Sequence, residues 1–372
     1  MGEEEERLVR EAFRSNWLST VGPHIDAFER EVAEYLADDT YVLAVSSGTA
    51  ALHLVLRYIG VGRGDRVAVS TLTFAGSVYP ILYLGAKPVL IDSETTSGNL
   101  DASLVAEHFE SASRRNELPK ALVVVHLYGQ HADVDAIIAL CDRYGVALVE
   151  DSAESLGAKY RGRETGTTAP YAILSFNGNK IITTTGGGMV LAKDPAAIAR
   201  MRKWSTQSRE PALEYLHAEL GYNYRMSNVL AAIGRGQLTV LEERVAARRR
   251  VAERYAAELG DLPGFSLQEE APWGTHTRWL TVMYLDPDEC ATNPLDLIRT
   301  LGEDNIEARP VWRPMHTQPL FANCERVGGH VAEQLFRTGI CLPSSSNLSL
   351  TDQDRVITKV RSSAMAVSVR GQ

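Results

Sequence analysis

One lysine, Lys180, stands in a stretch whose composition could hold a reactive amine. The stretch from Ser175 to Gly188 has a polar approach containing glycine, SFNGN, and leaves through three threonines and three glycines. Glycine lets the backbone come close to a flat ligand because it has no Cβ. A lysine amine that has lost its proton can form a Schiff base with a carbonyl. A surface turn with a solvated lysine is the ordinary alternative, and the stretch alone favours that alternative.

A second group of residues could bind a phosphate. Ser46, Ser47, Gly48 and Thr49 lie between a strand-like run, YVLAV, and a helical run that begins at Ala50. A helix N-terminus offers free N–H groups and the positive end of the helix dipole, and Thr49 adds a hydroxyl. An ordinary helix cap explains the same residues. Taken alone, the cap is the better explanation.

A carboxylate and an aromatic ring follow two further strand-like runs. Asp151 ends the run VALVED, where a carboxylate could pair with a pyridinium nitrogen and keep it protonated. Phe74 follows another such run and could stack on a flat ring. A capping aspartate and a core phenylalanine are the ordinary explanations. Taken together, these features nevertheless favour a cofactor site, because a phosphate cradle, an aromatic ring, a carboxylate and a lysine follow successive strands of one sheet.

The elements that must position these residues alternate between strands and helices. Strands are predicted at 41–45, 66–70, 87–92, 121–126, 146–151, 172–176 and 188–192. Helices are predicted up to about residue 36, with a break near residues 19–23, and at 50–59, 75–84 and 133–144. Apolar strands that alternate with helices predict an α/β fold with a mostly parallel sheet covered on both faces. Ligands bind at the carboxyl ends of such strands, where Ser46–Thr49, His126, Asp151 and Ser175 fall.

The second part of the chain has a different pattern. From about residue 200 the chain is predicted to be helical, with a long connecting helix at 238–259 and a solvated arginine run at 248–250. Beyond Pro263 the pattern is mixed α/β. A chain of 372 residues exceeds the usual size of one core. We therefore predict a large domain at 1–240, with an N-terminal helical arm, and a smaller α/β domain at 241–372.

Bulk composition limits the partners and the compartment. The net charge of -9 and the pI near 5.6 argue against a nucleic-acid-binding surface. The four cysteines have neither disulfide-framework nor metal-site spacing, so we expect reduced thiols and no metal. The acidic start lacks a signal pattern, and no apolar run approaches the roughly 18 residues of a membrane span. These features predict a cytoplasmic protein without membrane contact.

Several motifs follow one another in order along nearly the whole chain. They include SGTAALH from residue 47, GDRV from 64, GAKPV from 85, HLYG from 126, the stretch 175–188 and GYNYRMS from 221. Together they resemble the DegT/DnrJ/EryC1/StrS family of nucleotide-sugar aminotransferases, which depend on pyridoxal 5'-phosphate (PLP). The resemblance implies the type I PLP-dependent transferase fold of aspartate aminotransferase, with a large domain around a mostly parallel mixed sheet and a smaller C-terminal α/β domain.

The resemblance also implies roles for the residues of the cofactor site. Lys180 would form the internal aldimine with PLP, and Asp151, the second catalytic residue, would pair with the pyridine nitrogen. Phe74 would stack on the ring, and Glu154 stands where much of the family has Gln or His against the ring hydroxyl. The remaining cofactor-binding residues surround the phosphate: Gly48, Thr49, Ala50, Ser175 and, from the neighbouring subunit of a homodimer with shared active sites, Asn223.

A later motif, RPVWRPMH at 309–316, is the expected pocket for the nucleotide sugar. Its candidates are Arg309, Trp312, Arg313 and His316, since arginine suits a diphosphate and tryptophan suits a base or sugar face. A structural loop is an equally good explanation of this motif. Together with SFNGNKIITT it is similar to the subgroup that makes 4-amino-4,6-dideoxy sugars, with bacillosamine- and legionaminic-pathway enzymes nearest and perosamine synthases next.

The implied reaction is a transamination. L-Glutamate would leave its amino group on the cofactor as pyridoxamine 5'-phosphate, and this group would pass to the C4 ketone of a nucleotide-linked 4-keto-6-deoxyhexose, with UDP preferred. Alternatives within the family are a GDP-perosamine synthase-like enzyme and an enzyme that aminates C3, whereas Lys180 argues against members that use histidine and remove a hydroxyl. From other classes, a non-catalytic regulator should lack Lys180 or Asp151. A Rossmann oxidoreductase should have its glycine-rich turn after a strand, but GVGRG at 60–64 follows a helix.

Overall fold

A computed structural model of the protein describes residues 1–36, 39–290 and 292–365. The α-helices within these ranges are α1 Glu3–Ser15, α2 Pro23–Leu36, α3 Gly48–Tyr58, α4 Tyr79–Tyr83, α5 Ala102–Arg114, α6 Asp135–Tyr144, α7 Pro195–Ser205, α8 Asn228–Leu238, α9 Leu241–Leu259, α10 Pro294–Glu303, α11 His330–Thr338 and α12 Leu350–Met365. None of these helices combines the length and apolar character needed to span a bilayer.

The strands are short and lie close to their predicted positions. They are β1 Tyr41–Val45, β2 Arg66–Ser70, β3 Lys87–Ile91, β4 Ala121–Val125, β5 Ala147–Asp151, β6 Lys159–Tyr160, β7 Arg163–Glu164, β8 Tyr171–Ser175, β9 Gly188–Ala192, β10 Phe265–Leu267, β11 Gly274–Thr275, β12 Thr281–Leu285, β13 Arg309–Pro310, β14 Glu325–Val327 and β15 Gly339–Leu342. The seven strands predicted before residue 193 are all confirmed, to within one residue at each end.

The central sheet has eight strands in the order β1-β9-β8-β5-β4-β2-β3-β14. β9 runs antiparallel to both β1 and β8, and the remaining neighbours are parallel. β1 therefore points in the same direction as β8, β5 and β4, and the carboxyl ends of these strands lie along one edge of the sheet. The predicted mixed, mostly parallel sheet is confirmed.

Helices cover both faces of this sheet because its strands are apolar on both sides. All five residues of β4 are buried. Val123 of this strand packs in the core layer of α3, α4 and α7, whereas its neighbours Leu122 and Val124 pack in the layer of α5 and α6. Strands of this kind remove most of their apolar area from water, at about 25 cal/mol per Å². The buried sheet thus fixes the positions of the loops that follow each strand.

The second part of the chain builds a smaller sheet with the order β10-β12-β15-β13. α9, α10 and α12 pack against it around Tyr255, Leu297 and Val360. One strand of this part, β14, instead joins the edge of the central sheet, parallel to β3. The division into domains at 1–240 and 241–372 stays a prediction.

Two expectations about the second part are wrong in detail. α7 ends at Ser205, and residues 206–227 form an irregular segment with bridges such as Thr206 to Asn223, rather than a helix. The arginine run at 248–250 is not a solvated face as a whole. Arg248 is only 8% exposed, because the side of α9 that carries it packs against the smaller sheet, and Arg250 alone is fully on the surface.

Candidate active site

A cavity of about 280 Å³ lies at the edge of the central sheet where β1, β5 and β8 end and β9 begins. All the residues predicted to bind the cofactor line this cavity, except Ala50 and Asn223. The residues that do so are Gly48, Thr49, Phe74, Asp151, Glu154, Ser175 and Lys180. Parallel packing of the strands therefore brings together side chains that are up to 132 positions apart in the sequence, from Gly48 to Lys180.

One corner of the cavity is the N-terminus of α3. Ser47 caps the helix, and its Oγ accepts the Ala50 N–H at 3.0 Å. The N–H groups of Gly48 and Thr49 have no partner within the helix and can donate to an anion, whereas that of Ala50 is already bound. β9 passes so near that a Cβ on Gly188 would lie 2.4 Å from the Gly48 nitrogen. This corner suits a phosphate group.

Asp151 is buried at the end of β5. Its Oδ2 accepts the hydroxyl of Ser77 at 2.6 Å, and its Oδ1 accepts the Ala153 N–H at 3.1 Å. Burial raises the pKa of this carboxyl, while the two hydrogen bonds and the charge of Lys180 oppose that shift. Both oxygens are thus fixed in direction, as pairing with a protonated ring nitrogen requires.

Lys180 lies half-buried between the carboxylates and an indole ring. Its N–H donates to the Asn177 carbonyl at 3.0 Å, which closes a tight turn. Its Nζ is 4.0 Å from the centre of the Trp279 ring. Burial lowers the pKa of Lys180, and the charges of Glu154 and Asp151 oppose the shift. A lowered pKa increases the unprotonated fraction, which is the form that acts as nucleophile and base.

Glu154 completes the buried corner next to Lys180. One of its oxygens, Oε2, accepts the Tyr128 N–H at 2.7 Å. Tyr128 takes a left-handed backbone conformation with φ of 55°, which is unusual for a residue with a large side chain. Burial raises the pKa of Glu154 to about 7. At neutral pH this side chain can therefore either donate or accept a hydrogen bond.

Three aromatic rings form the outer wall. The ring centres of Phe74 and Trp312 are 5.7 Å apart, and those of Trp279 and Trp312 are 6.1 Å apart. The Trp312 N–H donates to the hydroxyl of Tyr128 at 2.9 Å. Phe74 is 61% exposed, so that it can cover a flat ligand as predicted.

A second cavity, of about 690 Å³, opens from the first. The two share Phe74, Asn179, Lys180, Trp279 and Trp312. The larger cavity extends towards the smaller sheet and α12, and its rim carries Arg309, whose guanidinium is 2.6 Å from Glu307. A ligand much longer than the cofactor could thus reach Lys180 from this side.

Three predicted residues lie elsewhere in the single chain. His316 is buried, with Nδ1 2.7 Å from the Thr71 hydroxyl and Nε2 3.1 Å from Glu333. The Nε of Arg313 donates to Thr317 at 3.2 Å, and neither side chain lines the two cavities described above. Asn223 is exposed and accepts a hydrogen bond from Gln207 at 3.0 Å. The substrate roles of Arg313 and His316 and the cofactor role of Asn223 stay predictions.

Several residues that shape the site are not among those predicted from the sequence. Ser77 and Tyr128 orient Asp151 and Glu154, and Trp279 faces the lysine amine. Ser77 follows Phe74 by three positions, so a hydroxyl near the predicted ring could have been noticed. Nothing in the sequence places Trp279 beside Lys180, because the contact joins two distant parts of the chain.

His126 follows β4 as expected, but its side chain points into the core. It forms a buried cluster with His131 and Glu150, whose ligand atoms lie within 4.8 Å of one another. Such a spacing could suit a metal. The Glu150 carboxylate, however, already accepts the N–H groups of Thr168 and Ala169 at 2.8 and 2.6 Å and His126 Nε2 at 2.9 Å. The cluster is therefore a hydrogen-bonded part of the core that supports the strand preceding Asp151.

Comparison with known proteins gives one family over almost the whole chain. The model of the DegT/DnrJ/EryC1/StrS aminotransferase family matches residues 1–361. The chain is 47% identical over 361 residues to the "Putative pyridoxal phosphate-dependent aminotransferase EpsN" of Bacillus subtilis, covering 96% of this chain and 92% of that protein. It is 37% identical to the GDP-perosamine synthase of Caulobacter vibrioides, with 95% and 93% covered.

Solved structures resemble the chain to a similar extent. The crystal structure of the aminotransferase TlmJ from Streptoalloteichus hindustanus is 32% identical, with a TM-score of 0.89, and the match covers 99% of this chain and 98% of that one. The fold is therefore shared with an aminotransferase of known structure.

Proposed function

Because the chain belongs to the DegT/DnrJ/EryC1/StrS aminotransferase family and is a PLP-dependent sugar aminotransferase, we propose that it moves the amino group of L-glutamate to the C4 ketone of a nucleotide-linked 4-keto-6-deoxyhexose. UDP is the proposed nucleotide and a 4-amino-4,6-dideoxy sugar the product. One observation carries this proposal. Lys180 stands where the cofactor-sized cavity opens into one more than twice as large.

The residues of the smaller cavity fit PLP on chemical grounds. Gly48 and Gly188 leave room for a phosphate at the N-terminus of α3, since a Cβ on Gly188 would strike the Gly48 nitrogen. Asp151 offers an oriented carboxylate for the ring nitrogen, and Phe74 can cover the ring face. When bound, PLP supplies an aldehyde that accepts an amino group and a ring that withdraws electrons.

The chain's own residues move and hold the protons. Lys180 Nζ, with its pKa lowered by burial, takes a proton from the α-carbon of the donor and later delivers one to C4 of the sugar. Asp151 would hold the proton of the cofactor's ring nitrogen in place. Trp279 and Trp312 exclude water from one side of Lys180, so that the amine works in a less polar environment.

The larger cavity is the proposed place of the nucleotide sugar. Its rim carries Arg309 and Arg355, which suit a diphosphate, and Trp312 stands at its inner end, where a sugar ring would come. C4 of that sugar would face Lys180.

A homodimer with shared sites is part of the proposal. Asn223 is exposed in the single chain, which fits a residue that completes the phosphate site of the partner subunit. Several large apolar side chains are also exposed, namely Phe13, Trp17, Val21, Leu213, Tyr215 and Leu220. Exposed apolar residues in this number favour an interface between copies. We also place the enzyme in the cytoplasm, where its four free cysteines would stay reduced.

The proposal is tested with a panel of UDP-, GDP- and dTDP-linked 4-keto-6-deoxyhexoses. The purified holoenzyme receives L-glutamate and one sugar at a time, and 2-oxoglutarate and the amino sugar are quantified. We expect turnover with the UDP-linked sugar, and Lys180→Ala should reduce it at least about 10⁴-fold. Arg250→Ala, at an exposed arginine that lines neither cavity, serves as the control.

Two alternatives would show themselves in the same panel. Turnover of only the GDP-linked sugar would indicate a perosamine synthase-like enzyme, as the similarity to the Caulobacter protein allows, and an amine at C3 would be seen by NMR of the product. A non-catalytic regulator would give no turnover with any sugar although the cofactor binds. The presence of Lys180, Asp151 and the phosphate corner in one cavity argues against the regulator.

A further inference from the structure

Arg248 is a buried cation without a counter-ion. Its side chain leaves α9 and lies in the wall of the larger cavity, 8% exposed. Nη1 donates to the carbonyls of Trp279 at 2.5 Å and Ser344 at 3.0 Å. Nε is buried without a partner, and no carboxylate among residues 1–36, 39–290 and 292–365 forms an ion pair with this guanidinium. Buried charges in proteins are normally paired.

The other charges on the same cavity cancel one another. Arg309 is paired with Glu307 at 2.6 Å, and Arg355 is 3.4 Å from Asp352. These two pairs lie at the exposed rim, with more than half of each side chain accessible. Lys180, the remaining cation on the wall, has the charges of Glu154 and Asp151 beside it. Among the charged residues that line the cavity, Arg248 is thus the one without a carboxylate beside it in the described part of the chain. Burial and the nearby charge of Arg244 lower the pKa of Arg248 to about 10, so that it remains charged at neutral pH.

One residue, Trp279, connects this charge with the reacting amine. Its ring faces Lys180 Nζ at 4.0 Å, and its backbone carbonyl accepts from Arg248. An amino donor must bring its α-amino group to the position of Lys180 Nζ. The carboxylate nearer to that amino group would then stay beside Lys180. A second carboxylate, farther along the donor, would be directed past Trp279 towards Arg248.

We propose that Arg248 binds the side-chain carboxylate of the amino donor and makes the enzyme selective for a dicarboxylic amino acid. This inference rests on the proposed function, in which L-glutamate is the donor. Nη1 is held by two carbonyls and Nε is fully buried, whereas Nη2 makes no hydrogen bond in the described part of the chain and can donate to a carboxylate oxygen in the cavity. A diphosphate could also be attracted, but it carries more charge than one guanidinium offsets. The pairs of Arg309 and Arg355 at the rim are exposed and therefore weak, so that a diphosphate can draw these two arginines away from their carboxylates.

The test compares L-glutamate with its uncharged isostere L-glutamine. Each is mixed with the holoenzyme without any sugar, and the change in absorbance of the bound cofactor gives kcat/KM for this half-reaction. We expect the wild type to prefer L-glutamate at least about 30-fold. Arg248→Gln should remove this preference by slowing L-glutamate, while the rate with L-glutamine stays within about threefold. Arg250→Gln, an exposed neighbour in the same arginine run, should leave the preference unchanged.

Other outcomes would overturn the inference. The first is a wild type that uses L-glutamate and L-glutamine at equal rates, and the second is an Arg248→Gln variant that reacts more slowly with both donors to the same extent. The third is an Arg248→Gln variant that loses affinity for UDP in calorimetry but keeps the preference for L-glutamate. The third outcome would mean that the anion bound by Arg248 is the diphosphate of the nucleotide. If Arg248→Gln does not fold, Arg248→Lys keeps the charge and should retain most of the preference.

A second measurement needs no variant and no turnover. Calorimetry with the wild-type holoenzyme compares glutarate with butyrate, which differ by one carboxylate. We expect glutarate to bind at least tenfold more tightly, and equal affinities would contradict the inference. Neither measurement contains a sugar, so a failed sugar panel would refute the proposed substrate and leave the role of Arg248 to be judged separately.

Discussion

The carboxyl of Glu154 and the amine of Lys180 lie close together in the site, and each shifts the pKa of the other. Burial disfavours the charged form of both, whereas their opposite charges favour it. The result is a glutamate that titrates near neutral pH beside an amine whose pKa is lowered. A glutamine at this position would not titrate at all, so that Glu154 gives the site a pH dependence near neutrality.

The first prediction concerns Glu154→Gln in the cofactor-free protein. Burial raises the pKa of Glu154 from 4.5 to about 7, so the folded chain keeps a proton that the unfolded chain releases within this interval. The stabilising contribution is therefore complete below about pH 4.5 and is lost as the pH rises to about 7. We expect the difference in free energy of unfolding, wild type minus variant, to fall by on the order of 3 kcal/mol across this interval. Urea unfolding at several pH values measures it, and a constant difference would contradict the prediction.

The meeting of Lys180, Asp151 and Phe74 in one cavity could be predicted from the sequence, and the residues that contact them could not. Lys180, Asp151 and Phe74 each follow a strand that is visible as an apolar run. Trp279 reaches the lysine from the other side of the site, and Arg248 was mistaken for a surface residue because it stands among charged neighbours. The positions of Trp279 and Arg248 depend on how two distant parts of the chain pack against each other. No local sequence pattern predicts that packing.

At the scale of elements, β9 is the one central strand that runs against its neighbours, and it brings backbone close to the N-terminus of α3. The amide of Gly48 must remain open to an anion while β9 begins beside it at Gly188. Only a residue without a side chain fits there. In the sequence, the triple glycine at 186–188 is visible only as the end of the loop that carries Lys180. Its contact with the N-terminus of α3 is visible only in the fold.

The second prediction compares Gly188→Ala with Gly186→Ala. A Cβ at Gly188 would lie 2.4 Å from the Gly48 nitrogen, whereas a Cβ at Gly186 would meet nothing within 4 Å. We expect Gly188→Ala to lower the free energy of unfolding by about 1–3 kcal/mol and to weaken PLP binding. Gly186→Ala should stay within about 0.5 kcal/mol of the wild type. Urea unfolding and titration with PLP measure both effects, and equal behaviour of the two variants would argue against the close approach.

The element boundaries show where sequence patterns are reliable. Buried strands such as β1, β2 and β9 have the bounds that their apolar runs predict, because burial on both faces leaves a continuous signal. The segment 206–227 was expected to be helical, yet it folds back on itself through the bridge from Thr206 to Asn223. It contains Pro211 and Gly221, which disfavour a continuous helix.

At the scale of the whole molecule, the exposed position of Asn223 gives the third prediction. Lys180→Ala and Asn223→Ala chains are unfolded together, refolded as a mixture and assayed. If Asn223 serves the partner's site, each mixed dimer contains one intact site, and statistical pairing gives about a quarter of the wild-type activity even when both parents are nearly inactive. If Asn223 serves its own chain, the mixture should give only the mean of the two parents.

β14 also limits how such enzymes can be recombined. A chimaera joined near residue 240 would take β14 from one parent and β3 from the other, so that the pairing of Glu325–Val327 with Val89–Ile91 would have to be matched anew. The ion pair of Arg66 with Glu325 crosses the same seam. A graft that ignores this seam would leave a bare strand at the border of the sheet, which invites aggregation. Exchanging sugar specificity between relatives should therefore transplant both sides of the seam together.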